Sequence, residues 1–129
     1  MNAGQFISFE GGEGSGKSTQ IQRISSYLIS AGHSVLVTCE PGGTQYGKEI
    51  RKLILQCRES ESLSPLSELL LYAADRAQHV ERVIRPALRQ GQIVLCDRYT
   101  DSTWAYQGYG RQLDLETIKN LMEIATGGL

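Results

Sequence analysis

The segment Gly11-Gly12-Glu13-Gly14-Ser15-Gly16-Lys17-Ser18 satisfies the pattern G-x-x-x-x-G-K-[ST] without a mismatch. Its surroundings constrain the fold as strongly as its letters do. The apolar run Phe6-Ile7-Ser8-Phe9 enters it as a buried strand, and Ile21, Ile24 and Leu28 follow it at helical spacing. Strand, glycine loop and helix, in that order, bring backbone N–H groups and a helix N-terminus around one anion. In such a loop Lys17 reaches the β- and γ-phosphates of a nucleotide, and the Ser18 hydroxyl is placed for Mg²⁺. A glycine turn that only capped the helix would need neither Lys17 nor Ser18.

Downstream the same alternation repeats. Ser34-Val35-Leu36-Val37-Thr38 reads as a second strand running into the turn Glu40-Pro41-Gly42-Gly43, and Ile50, Leu53 and Ile54 suit a short helix. Gly32 is expected to end the first helix, and Arg58–Ser64 reads as a polar surface loop. Pro65 opens a long helix expected to face Leu66, Leu69, Leu70, Ala73, Ala77 and Val80 inward, kinked or restarted at Pro86 and capped at Gly91. Ile93-Val94-Leu95-Cys96 is a third buried strand closed by Asp97, and Asp114 caps a last helix carrying Leu115, Ile118, Leu121, Met122 and Ala125. Strands alternating with helices predict an α/β fold, a parallel sheet with helices on both faces. No repeat or linker divides residues 1–129, and a chain of this length fits one domain.

Composition narrows the function classes. Thirteen basic against fourteen acidic residues leave a net charge of −1, which gives no support to a broad nucleic-acid surface. The longest apolar run, Leu69 to Ala74, is too short to span a membrane, and the N-terminus lacks the pattern of a signal peptide. Cys39, Cys57 and Cys96 lie in no metal-binding spacing and read as reduced thiols of a cytoplasmic protein.

Asp97 ends the third strand, where a Mg²⁺-associated aspartate stands in phosphate-loop enzymes, although a strand-end aspartate by itself serves equally as a cap. No glutamate follows it and no N-K-x-D motif occurs, which argues against a motor ATPase and a GTPase. Arg98 follows instead, suiting a second anionic substrate. Arg51 and Arg76 are further candidates for phosphate or base contacts, or else solvated helix residues.

Four stretches together resemble bacterial thymidylate kinases. They are Phe9–Thr19, Glu40-Pro41-Gly42-Gly43-Thr44, Leu71-Tyr72-Ala73-Ala74-Asp75-Arg76 and Asp97–Gly108 (Asp-Arg-Tyr-Thr-Asp-Ser-Thr-Trp-Ala-Tyr-Gln-Gly). The resemblance implies transfer of the γ-phosphoryl group of ATP to dTMP with Mg²⁺, and a homodimer. It extends the cofactor set to Gly11, Gly12, Glu13, Gly14, Ser15, Gly16, Lys17, Ser18 and Thr19, with Ser18 and Asp97 at the metal. It implies Lys17, Arg98 and Glu13 as catalytic residues, Glu13 lying near the acceptor sugar and phosphate. Tyr72 would stack on thymine, a contact worth on the order of 1–3 kcal/mol, and Arg76 would meet a base carbonyl. Thr103 and Gln107 would meet the polar edge of the base, with Ser102 beside them, and Tyr106 would crowd the sugar 2′ position. Arg51 and Arg98 would hold the acceptor phosphate. Plain helix core remains the other reading of Tyr72, and an ordinary polar helix surface that of Thr103, Tyr106 and Gln107.

Two departures accompany the resemblance. Cys39 stands where bacterial members commonly carry arginine, and the family's chains continue beyond this length into two further strands, a lid and C-terminal helices. The chain is therefore expected to be the N-terminal part of such a kinase, with sheet order second, third, first strand. On that expectation the missing lid arginines would slow transfer by about 10³–10⁵, and the first strand would be an open edge. A kinase for another nucleoside monophosphate and a non-catalytic nucleotide-binding fragment are the alternatives.

Overall fold

The computed structural model describes residues 3–10, 16–56, 61–97 and 114–129. Three five-residue strands, β1 (Gln5–Phe9), β2 (Val35–Cys39) and β3 (Ile93–Asp97), form a parallel sheet in the order β1-β3-β2. β3 lies in the middle, and Val94, Leu95 and Cys96 are fully buried. Its apolar run is what a strand covered on both faces requires. The register sets Phe9 and Cys39 on either side of Asp97. The loop after β1 and the turn after β2 therefore both leave the sheet at the level of one carboxylate.

The described helices are α1 (Lys17–Ser30), α2 (Gln45–Leu55), α3 (Pro65–His79), α4 (Arg85–Arg89) and α5 (Leu115–Thr126). α1 packs on β2 and β3, α4 on β3, and α3 on both α2 and α5. Local chemistry sets their starts. Ser64 accepts from the Ser67 N–H with Pro65 in the first turn of α3, Thr44 accepts from Gly47 N–H, and Asp114 accepts from Glu116 N–H. Between α3 and α4 the chain widens into a π turn, Val80–Ile84. In a regular helix the Pro86 ring would press on the carbonyl of Arg82, and the widened turn contains that carbonyl.

Two apolar clusters result. Val80, Ile84, Ala87 and Val94 form one, with Phe6, Leu36 and Leu88 against it; Leu69 and Ile118 form the other, with Tyr72, Leu121 and Met122. Two expectations need correction. Leu66 and Leu70 lie about half exposed on α3, while Asp75, Arg76 and His79 are buried there instead. β1 is not a fully buried strand, since Ile7 is 37% exposed. Among the described residues β1 pairs only with β3.

Candidate functional site

Lys17 is the first residue of α1, and its ammonium lies 2.6 Å from Asp97 Oδ1 at the end of β3. Gly16 precedes it at φ 81°, a left-handed conformation that costs glycine nothing, so the helix begins directly beneath the loop. The Lys17 side chain is only 8% exposed. A buried cation at a helix N-terminus needs a counter-anion, and Asp97 supplies one. Ser18 and Asp97 also line a single groove of about 450 Å³ between α1 and the ends of β2 and β3. A hydroxyl and a carboxylate are hard oxygen donors of the kind Mg²⁺ takes, so these two residues fit that ion.

A second cluster lies beneath the turn after β2. Glu40 is 4% exposed; its Oε1 accepts from Arg76 Nε at 2.9 Å, and its Oε2 lies 2.6 Å from His79 Nδ1. The other ring nitrogen of His79 lies 2.7 Å from Thr38 Oγ1. Asp75 Oδ1 accepts from the Gly42 N–H at 2.9 Å, and Arg51 Nη1 donates to Pro41 O at 3.0 Å. The turn, which begins with a cis Glu40–Pro41 bond, is thus held from α2 on one side and α3 on the other. Arg76 Nη1 also approaches Met122 Sδ of α5 at 3.1 Å.

With this geometry in place, the comparisons decide the family: a thymidylate kinase family model matches residues 9–127. The chain belongs to the thymidylate kinase family. A thymidylate kinase of Nostoc sp. is 56% identical over 126 residues, covering 98% of this chain and 60% of that protein. Thymidylate kinase of Syntrophotalea carbinolica is 60% identical over 122 residues, covering 95% of this chain and 56% of its own length. The crystal structure of thymidylate kinase from Ehrlichia chaffeensis superposes with a TM-score of 0.81 at 42% identity, covering 95% of this chain and 70% of that one. This chain spans about 60% of the length of the curated thymidylate kinases it matches.

Within this thymidylate kinase fold, Lys17 pairs with Asp97, and Ser18 and Asp97 line one groove. Tyr72 and Arg76 lie one turn apart on α3, and Arg51 lies across the Pro41-Gly42 backbone. Gly11, Gly12, Glu13, Gly14, Ser15, Arg98, Ser102, Thr103, Tyr106 and Gln107 lie outside the described residues. Cys39 is half-buried and lines the same groove. Burial pushes its thiol up, the Arg51 cation pulls it down, and Asp97, Asp75 and Glu40 push it up again. The Arg51 guanidinium from α2 is thus the cation that acts on the Cys39 thiol.

Sequence reasoning did not single out Glu40, Asp75 or His79 as site residues. The available signal was the run Asp75-Arg76-Ala77-Gln78-His79, three ionisable groups within one and a half turns directly after the apolar stretch Leu69–Ala74.

Asp75 carries a pH prediction. Burial pushes its carboxyl from the ordinary 3.8 to about 6, against the opposing pull of the Gly42 N–H. The folded chain then holds a proton that the unfolded chain has already released. The contribution to stability is fully present below pH 3.8 and is lost as pH rises through about 6. Asp75 is only 2% exposed, so solvent screens little of this, and the loss is on the order of 3 kcal/mol. Asp75→Asn keeps an acceptor for Gly42 and removes the titration. Urea unfolding of both proteins across this pH window should show the variant gaining on the parent as pH rises. Parallel curves would show that Asp75 titrates normally.

Proposed function

We propose that this chain forms the phosphate-loop part of an enzyme that transfers the γ-phosphoryl group of ATP to dTMP. The observation that carries the reading is the meeting of two unlike subsites at one end of a parallel sheet. A charged phosphate subsite, Lys17 with Asp97, lies at the end of β3. A buried guanidinium with an aromatic ring one turn before it, Arg76 and Tyr72, lies on the helix facing the next turn. Membership of the thymidylate kinase family supplies the substrate pair.

In this reading Lys17 binds the β- and γ-phosphate oxygens of the nucleotide. Ser18 and Asp97 would hold Mg²⁺, which supplies charge neutralisation and fixes the orientation of the phosphates. Tyr72 offers a face for the pyrimidine, and Arg76 offers its guanidinium edge to a base carbonyl. Arg51 is assigned to the acceptor phosphate together with Arg98, and Glu13 to the acceptor sugar and phosphate. Ser102, Thr103, Tyr106 and Gln107 keep their base and sugar roles. The reaction then runs by positioning and charge neutralisation, without a covalent intermediate. A homodimer in the cytoplasm completes the proposal, and sedimentation at micromolar concentration tests the dimer.

The deciding assay offers thymidine, uridine, cytidine and adenosine monophosphates in competition with ATP–Mg²⁺. Preference for any base other than thymine would overturn the substrate assignment. Binding of both nucleotides without transfer would mark a nucleotide-binding module instead. Two variants test the base pocket. Arg76→Lys keeps a positive charge opposite Glu40 but loses the planar fork, and Tyr72→Ala removes the stacking face. Each should weaken dTMP binding about tenfold, a loss within the usual value of one stacked base, with ATP binding changed less than twofold. Equal losses for both ligands would place α3 outside the acceptor site.

A further inference from the structure

We propose that His79 is a positioning residue for base recognition, acting through Glu40 on the guanidinium of Arg76. This rests on the reading above, in which Arg76 meets the base. His79 touches neither nucleotide in that reading, and it is fully buried at the last turn of α3.

The contacts form one chain. Thr38 Oγ1 lies 2.7 Å from His79 Nε2, His79 Nδ1 lies 2.6 Å from Glu40 Oε2, and Glu40 Oε1 accepts from Arg76 Nε at 2.9 Å. In the tautomer that satisfies both ring contacts, Nδ1–H donates to Glu40 and Nε2 accepts from the Thr38 hydroxyl. Glu40 therefore has one oxygen for each neighbour. A carboxylate held at only one oxygen rotates about its terminal torsion, which is broad and roughly two-fold. Held at both, it offers Arg76 a single plane, and a planar fork is oriented by the plane of its partner.

The ring itself has no room to turn. A Cβ on Gly43 would lie 2.5 Å from Nε2, so the backbone of the turn packs directly on the imidazole edge. The π turn begins at the very next residue, and such turns recur where a helix must hold a side chain off its regular phase. A metal reading of Glu40, His79 and Cys96, whose ligand atoms lie within 4.8 Å of one another, is less consistent. Both ring nitrogens are engaged, and the Arg76 cation already faces the carboxylate.

The test measures dTMP and ATP affinities by calorimetry on the full chain, together with urea unfolding midpoints. His79→Asn retains an amide near the Nδ1 position and should hold dTMP affinity within about threefold. His79→Gln reaches Thr38 but not Glu40 and should lose roughly tenfold, the usual result of stranding one buried partner, with ATP affinity unchanged. In an Arg76→Lys background the same His79→Gln change should cost nothing further, because the coupling runs through the guanidinium. Additive losses, or equal losses for ATP, would overturn the inference and leave His79 a structural residue. If Arg76→Lys itself spares dTMP, the base pocket fails rather than the relay. Should His79→Gln not fold, Thr38→Val removes one ring contact and must still weaken dTMP selectively, or the inference falls.

Discussion

Lys17→Ala should abolish measurable ATP binding and slow any phosphoryl transfer by about 10²–10³, the loss typical when one preorganised donor to a developing charge is removed. The ammonium lies 2.6 Å from Asp97 Oδ1, and it sits where α1 begins. The fold should survive. Asp97 is 23% exposed, so water reaches the carboxylate, and α1 still packs on β2 and β3. A thermal midpoint within a few degrees of the parent, with no heat of nucleotide binding, is the expected pair of results. An undiminished calorimetric affinity would take Lys17 out of the phosphate site.

The largest stability effect should come from a single methyl group. Gly43→Ala would set a Cβ 2.5 Å from His79 Nε2, 2.6 Å from Cδ2 and 2.8 Å from the Cys39 carbonyl. None of these yields easily: the ring is fully buried and held at both nitrogens, and the carbonyl belongs to β2. Overpacking alone costs about 1–3 kcal/mol, and breaking a buried hydrogen bond to relieve it adds about 1–3 more. A loss of about 3 kcal/mol or more in urea unfolding is expected. Gly32→Ala is the control, since its Cβ meets nothing and only its φ of 92° opposes the change; about 1 kcal/mol is expected there. Equal effects at the two positions would show that close approach to His79 is not what Gly43 provides.

The boundaries of this fold were legible because they are written in local chemistry. Ser64 with Pro65, Asp114, and the glycines at 32 and 91 each act within a few residues, so α3, α5 and the ends of α1 and α4 stand close to where periodicity and capping put them. The phosphate side of the site was legible for the same reason, a contiguous pattern between a strand and a helix. The inward face of α3 was not. Periodicity counts apolar residues, and it assigned Leu66 and Leu70 to the core. Asp75, Arg76 and His79 are buried because Gly42 N–H, Glu40 and Thr38 satisfy them across 33 to 41 residues of sequence. No window along the chain contains both halves of those pairs. The resemblance gave Arg76 a role and included Glu40 in its stretches without one, and it did not reach His79.

The widened turn at Val80–Ile84 fixes the spacing between two different jobs on one continuous rod. A regular α-helix advances about 100° per residue, so one extra residue in a turn rotates everything beyond it by that amount. Upstream, the rod directs Asp75, Arg76 and His79 at the turn after β2; downstream, it directs Ile84 and Ala87 at the sheet. A one-residue deletion from 81 to 83 would spare the buried Val80 and Ile84 but bring the Pro86 ring back against a helical carbonyl. It would also swing either the polar trio or the sheet-facing pair toward water. Within the five positions of that turn the length sets the phase of the rod, and the buried Val80 and Ile84 set its packing.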